Sequence, residues 1–438
     1  MSFQQGLSGL NAASKNLDVI GNNIANSGTF GAKGARAEVA DVYAAALNGA
    51  GQNQVGIGTS LQSVAQQFTQ GNITTTENPM DLAINGGGFF QVSDGVNPTQ
   101  YSRNGQFKVS KDGFIVNNDG LKLMGYPANG AGVIQPGTAQ PLSLPTGGIP
   151  PAVTTKVDME FNLDSRLKMT APSAGTGTGM DLKDSTTYNN ATSMTVYDAK
   201  GQDVAVTFYF QKAATAADGS DTWNVYATAN GTPFDTDSSG AAIALDANGN
   251  PTTPYTTMTF PPTGGSPTIP SAAISMNIPA STSARGYSTL AITGIQLDMS
   301  GATENGSSFA VTNLTQDGYA PGQLTGISVS NDGTVLARYS NGQSKPAGQV
   351  ELATFRNPQG LQAMGGNVWN RTVSSGDPVV GVPGDGNMGA LQSGALEESN
   401  VDLTAELVNM VTAQRAYQAN AQTIKTQDQV LQTIVNLR

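Results

Sequence analysis

Apolar residues at the two ends of the chain recur with helical spacing, whereas those in the middle alternate with polar neighbours. At the front, Phe3, Leu10, Leu17 and Ile24 fall seven residues apart, and Leu7, Ala13 and Ile20 widen the stripe into one face of a helix. Ser2 with Gln5 fits a capping box, in which the serine accepts from an orphan amide and the glutamine reaches back. Asn26-Ser27-Gly28 supplies the stop. At the far end Leu403, Met410, Tyr417, Ile424 and Leu431 repeat the seven-residue step, with Leu407, Ala421 and Val435 between them. Ser399 followed by Asp402 marks the start, and a helix over 401–437 would span roughly 55 Å at ~1.5 Å per residue. The second seam position is often small or polar, Ser14 and Gly21 in front and Gln414 and Asp428 behind, which an isolated two-stranded coiled coil tolerates badly. Gly21, Asn22 and Asn23 weaken the first helix further, a glycine costing about 1 kcal/mol against alanine, so it is marginal alone. Periodicity leaves two destinations open for these stripes: pairing within the chain and packing on its body, or burial against neighbouring copies.

In the middle the period changes to two. Phe107-Lys108-Val109-Ser110, the turn Lys111-Asp112-Gly113 and Phe114-Ile115-Val116 predict a hairpin whose turn needs positive φ. Far down the chain, residues 327–336 repeat the Val-Ser-x-Asp-Gly arrangement, which suggests one discontinuous β domain with the intervening residues inserted. The insert, about 150–309, carries its own strands at 194–197, 204–210 and 223–227, and its border at Pro145 to Pro151 is rich in Pro and Gly. Segments 29–81 and 373–400 are long, polar and weakly periodic, and read as connectors between the helical ends and the β body. The expected fold is therefore mainly β with α-helical termini. Helices at 1–28 and 401–438 pair into a coiled-coil-like core, 82–149 with 310–372 form an inner β domain, and 150–309 form an outer one.

Length and composition agree, since 438 residues call for two or three compact units. Only 12% of residues are charged while glycine is abundant, the profile of turn-rich β domains. The net charge of −11 argues against nucleic acid, which requires Lys and Arg to displace counterions. The chain has no cysteine and no histidine, so disulfides, thiolate zinc sites and the commonest general base are missing. No stretch approaches the ~18 apolar residues of a membrane span, so no membrane insertion is expected. The start lacks the basic region of a cleavable signal, its first cation being Lys15, so the protein is expected to stay inside or to leave by a route that removes no peptide.

Two motifs invite chemistry. Asn85-Gly86-Gly87-Gly88-Phe89 lacks the following Lys-Ser or Lys-Thr of a phosphate cradle and reads better as a strand bend. Asp235-Thr236-Asp237-Ser238-Ser239-Gly240, with Asp246 at the twelfth place, has the oxygen spacing of a calcium loop, but its flanks are not helix formers and a surface turn is expected. No pair of carboxylates is singled out as catalytic, and no cofactor is implied.

Gly6-Leu7-Ser8-Gly9-Leu10-Asn11 through Gly21-Asn22-Asn23-Ile24-Ala25-Asn26 resembles the opening of the bacterial flagellar rod and hook proteins. Arg36-Ala37-Glu38 with Asp41-Val42-Tyr43, Leu82 to Phe90, Arg103-Asn104-Gly105-Gln106-Phe107, Ser393 to Leu403 and Gln414-Arg415-Ala416-Tyr417 resemble the hook branch in particular. The insert carries none of the resemblance, although distal rod proteins lack so large an outer unit. The resemblance implies a tubular polymer outside the cell, a curved joint passing torque from rod to filament, with paired terminal helices lining its channel. It implies export by the flagellar type III apparatus without a cleaved signal, and partners in the rod, the hook cap and the hook-filament junction proteins. It implies no catalysis. The expected polymerisation interface is Phe3, Leu7, Leu10, Leu17, Ile24, Leu403, Leu407, Met410, Tyr417, Ile424, Leu431 and Val435, their stripes packing between subunits. Relatives often place an aromatic after the glycine beyond the first helix, whereas here Phe30 precedes Gly31 and Ala32 follows; some crosslink through a cysteine, which is missing here. A distal rod subunit and a secreted β-rich hydrolase using carboxylates are the alternatives.

Overall fold

The computed structural model describes residues 2–42, 56–145, 147–170, 179–283 and 285–436, without the side chains of residue 2 and residues 434–436. Tyr43 and the side chains of Ser2 and Val435 thus lie outside the described part. The two expected helices are α1 (Ser2–Ala25) and α2 (Leu403–Asn436). At the end of α1 the amide of Asn26 bonds back to the Asn22 carbonyl at 3.1 Å. Asp402 caps α2, its Oδ1 accepting from the amides of Thr404 at 2.8 Å and Ala405 at 3.2 Å, and its charge also suits the positive helix end. Ser399 is not the cap; its hydroxyl accepts from the Val401 amide instead. The predicted capping box does not use Gln5 either, because that side chain donates to the Gly56 carbonyl at 2.5 Å.

The chain forms two compact units. The terminal unit comprises Met1–Thr146, Thr325–Arg338 and Ser344–Arg438. Its largest sheet has 13 strands and includes both predicted hairpins, Lys108–Val109 with Ile115–Val116 and Leu324–Val329 with Thr334–Tyr339. The two Val-Ser-x-Asp-Gly stretches therefore do share one discontinuous sheet, with Gly113 and Gly333 at φ 82° and 81° in the turns, a region costly for side-chain-bearing residues. Phe90, Ile115, Leu123, Val335, Val350 and Leu352 form the core of this sheet. Gly86 and Gly88 turn the chain between the strands Leu82–Asn85 and Phe89–Ser93, as a strand bend requires, and a Cβ on Gly86 would meet Gly389 Cα at 2.9 Å.

The inserted unit, Gly147–Leu324 with Tyr339–Gln343, holds two five-stranded sheets. One contains Lys156–Asp164, Ile274–Ile278, Ile292–Asp298, Thr303–Asn305 and Ala310–Gln316; the other contains Asn190–Tyr197, Asp203–Thr215, Asp221–Ala229, Thr232–Pro233 and Thr256–Phe260. Alternate residues of Lys156–Asp164 face a core shared by the two sheets, where Phe161 and Ile295 from the first join Phe208, Trp223 and Phe260 from the second. The insert is longer than the expected 150–309. Ala310–Gln316 pairs antiparallel with Lys156–Asp164, from Val157 opposite Gln316 to Asn162 opposite Ala310, so it belongs to the inserted unit and not to an inner domain starting at 310. A partner some 150 residues upstream leaves no trace in local periodicity.

The described parts of segments 29–81 and 373–400 contain strands that their composition does not suggest. Ala35–Val42 and Gly58–Gln66 form an antiparallel hairpin with a bulge at Glu38/Val39. Ile73–Thr75 pairs with Ala395–Glu397, which joins the two segments, and Ala390–Ser393 pairs with Leu82–Asn85 at the start of the inner β region. These are short two-stranded ladders, and several of their strands are half-exposed, which blurs the period-two signal.

Candidate functional site

The terminal helices run antiparallel, with Gly6 against Ile424, Gly9 against Asn420 and Asn23 bonded to Glu406. Their seam is not simply the apolar stripe. A Cβ on Gly9 would lie 2.8 Å from Asn420 Oδ1 and one on Gly6 3.0 Å from Ile424 Cγ1, so the two glycines set how closely the backbones approach. Ile20 and Ala413 are the most deeply buried apolar side chains of the two helices, each 5% exposed.

This seam divides the predicted interface residues. Leu10, Leu17 and Ile24 on α1 and Met410 and Ile424 on α2 are half-buried. Phe3, Leu7, Leu403, Leu407, Tyr417 and Leu431 stay exposed, from 37% for Tyr417 to 54% for Leu431. The stripe on α2 is broader than the heptad positions, since Val408, Val411 and Val430 are exposed beside it. Isolated surface apolars need no explanation, but the run Leu403, Leu407, Val408 and Val411 on α2, with Phe3 and Leu7 on α1, does.

Asn23, whose residue type only weakens a helix, fastens three elements together. It is buried, its amide donates to the Ala35 carbonyl at 2.7 Å and to Glu406 at 3.3 Å, and its Oδ1 accepts from the Ala35 amide at 2.8 Å. At the other end of the hairpin the Thr59 amide donates to Ser8 Oγ, and a Cβ on Gly58 would collide with that hydroxyl. The hairpin is thus docked along α1.

At the base of the helices a buried charge cluster joins segments distant in sequence. Lys33 Nζ donates to Glu397 Oε1 at 2.5 Å and to the Thr69 carbonyl at 2.8 Å; Arg103 reaches Glu397 Oε2 at 3.2 Å and the Gly86 carbonyl at 3.0 Å. The Gly71 amide also donates to Glu397 at 2.9 Å. The side chains of Lys33 and Glu397 are wholly buried and that of Arg103 nearly so. Burial pulls Lys33 below the usual lysine range although Glu397 opposes it, and burial likewise lowers Arg103. Asn400 adds neutral ties, accepting from the Gly34 amide and donating to the Gln67 carbonyl. Gly31, at φ 70°, comes so close to the backbone of Asn104 that a Cβ would sit 2.5 Å from its nitrogen. The arrangement fixes where the helices leave the β body; it is anchoring chemistry.

Among the described residues no group of three or more Asp, Glu, His or Cys is placed to hold a metal. In the calcium-like loop, Asp237 accepts from the amides of Ser239 and Ala241, and Asp246 from those of Asn248 and Asn250, so both carboxylates serve their own turns. No helix among the described residues is long and apolar enough to cross a membrane.

Four family models match along the chain: Flagella basal body rod protein over 3–33, Flagellar hook protein FlgE/F/G D1 domain over 83–159, Flagellar basal body protein FlaE D2 domain over 162–319, and Flagellar basal body rod FlgEFG protein C-terminal over 392–437. The D2 match coincides with most of the inserted unit and extends past 309, in keeping with its sheet pairing. The chain is similar to the flagellar hook protein of Salmonella typhimurium, at 41% identity, and to that of Escherichia coli, at 40%, each covering 100% of both chains. It is also similar to the crystal structure of a Helicobacter pylori flagellar hook protein, at 14% identity and a TM-score of 0.49, over 74% of this chain and all of that one.

Proposed function

This chain belongs to the flagellar hook protein family and is a structural subunit of the flagellar hook, and from that premise we propose that copies assemble through the apolar ridges of their terminal helices. The interface comprises Phe3, Leu7, Leu10, Leu17, Ile24, Leu403, Leu407, Met410, Tyr417, Ile424, Leu431 and Val435. The observation that carries the reading is that α1 and α2 pair through a glycine-assisted seam and leave Phe3, Leu7, Leu403, Leu407 and Leu431 about half exposed. Covering one half-exposed leucine contributes about 1 kcal/mol, and a tube repeats that gain at every subunit contact.

The rest of the proposal follows from family membership. The polymer is a tube outside the cell that transmits torque from rod to filament, and its bending falls to the hairpin segments and the inserted unit. The subunit is exported by the flagellar type III apparatus without a cleaved signal, and meets the rod, the hook cap and the hook-filament junction proteins. Its role is mechanical, not catalytic. No observation favours the distal-rod or hydrolase alternatives.

Leu407→Asp is the test, because Leu407 is exposed and its loss leaves the intrachain seam intact. Electron microscopy of purified variant is expected to show no tubes, while near-ultraviolet circular dichroism matches the parent. Normal tubes from this variant would refute the proposed interface.

A further inference from the structure

Inside the inserted unit, four side chains from three strands meet in the otherwise apolar space between the two sheets. Lys212 lies on Asp203–Thr215, Asp221 and Trp223 on Asp221–Ala229, and Glu304 on Thr303–Asn305 of the opposite sheet. Lys212 Nζ is 2.7 Å from Asp221 Oδ2, donates to the Ser165 carbonyl at 2.7 Å, and stands 3.9 Å from Glu304 Oε1. Trp223 Nε1 donates to the same Glu304 oxygen at 3.0 Å. The Thr215 hydroxyl donates to Asp221. Side-chain exposure is 6% for Lys212, 13% for Asp221 and 3% for Glu304.

The charges do not balance if every group ionises. Lys212 neutralises Asp221, and a second carboxylate beside them would be buried without a counter-ion. Among the described residues the neighbouring elements bring no second cation to this site, and Lys168, on the loop whose Thr170 amide bonds to the Lys212 carbonyl, is exposed. Asp164 and Arg166, at the end of Lys156–Asp164, pair with each other through bonds of 2.8 Å. Thr256–Phe260 and the turn 261–265, which adjoin Asp221 and Glu304 through backbone pairing, contain no ionisable residue. We propose that Glu304 is the protonated, neutral member of this cluster in the folded unit, so that this tie between the two sheets responds to pH.

Burial first, and then the neighbouring Asp221, push the Glu304 carboxyl up to about 7, whereas for Asp221 burial is outweighed by the bonds from Lys212, Thr215 and Glu304, which hold it below the usual range. Between the ordinary glutamate value of about 4.5 and about 7, the folded unit holds a proton that the unfolded chain has released. Stability from this group is therefore fully present below about pH 4.5 and is lost as the pH rises through about 7. The direction is opposite to that of Asp221, whose lowered value costs stability only in acid. With no histidine and no cysteine in the chain, the side chains whose ordinary values lie nearest neutrality are missing; the α-amino terminus, which also titrates there, belongs to the other unit.

Trp223 reports the proton directly. In the full-length chain carrying Trp369→Phe, which leaves Trp223 as the sole tryptophan, its fluorescence is expected to titrate with a midpoint near 7. Adding Glu304→Gln should abolish that midpoint. The folding equilibrium of the inserted unit, followed by the same signal in denaturant, should weaken by about a hundredfold from about pH 5 to about pH 8 in the parent and stay level in the variant. Should Glu304→Gln fail to fold, Asp221→Asn serves instead, and removing the adjacent negative charge should move the midpoint to lower pH. A Trp223 signal that is flat across this range, or a midpoint indifferent to both substitutions, would overturn the proposal.

Discussion

The inserted unit and the terminal helices treat their large apolar side chains in opposite ways. In the insert, Phe161, Phe208, Phe210, Trp223, Tyr255 and Phe260 are all under 2% exposed, and strands such as Lys156–Asp164 alternate buried and open positions as a two-sheet core demands. In α1 and α2, Ile20 and Ala413 are buried, yet leucines and valines on the same helices remain about half exposed. Both regions come from one chain with the same turn-rich composition. The difference teaches that folding satisfies the insert within itself, whereas the helices fold onto a partner that fixes their geometry without using up their apolar surface. A glycine-assisted seam has that property, since contacts at Gly6 and Gly9 need little side-chain surface.

The comparison can be broken most forcefully from the insert. Trp223→Ala should cost about 3–5 kcal/mol in denaturant unfolding of the inserted unit, through the cavity and the lost partner of Glu304. Full-length chains should still present both helical ridges, and loss of assembly under folding conditions would mean that the two regions are not separable. Glu397→Ala probes the other unit on the same scale. It leaves Lys33 and Arg103 buried without their counter-charge, a loss of about 3–5 kcal/mol, read by Trp369 fluorescence. An unchanged unfolding midpoint would show that the cluster is not what anchors the helices. Asn23→Ala is the finest of these probes. It removes the bonds to Ala35 and Glu406 at a cost of about 1–2 kcal/mol, and hydrogen exchange should quicken in the strands Ala35–Val42 and Gly58–Gln66 while the insert stays protected. Equal exchange in parent and variant would mean that the hairpin is held by its contacts near Ser8 alone.

Much of this was legible in the residues. The seven-residue steps locate both helices to within a few positions, and Asp112-Gly113 and Asp332-Gly333 mark turns because glycine alone takes those φ values without strain. Asn23 was not legible as a fastener, because its role depends on Ala35 and Glu406 arriving beside it. Glu397 likewise sits in a recognisable stretch, but nothing local reveals that Lys33 and Arg103 converge on it. The strand Ile73–Thr75 is not legible locally, because its partner Ala395–Glu397 lies more than three hundred residues away and three residues are too few to show a period.

The sequence by itself determined the two terminal helices, the two Asp-Gly hairpins, the apolar stripes and the family, since each depends on residues close together in the chain. The tertiary structure decided which helix faces meet, that Ala310–Gln316 joins Lys156–Asp164, and that Glu304 shares a buried site with Lys212 and Asp221. Periodicity says which face of an element avoids water but not what will cover it. That choice is made by packing and by charge compensation among groups that only folding brings together.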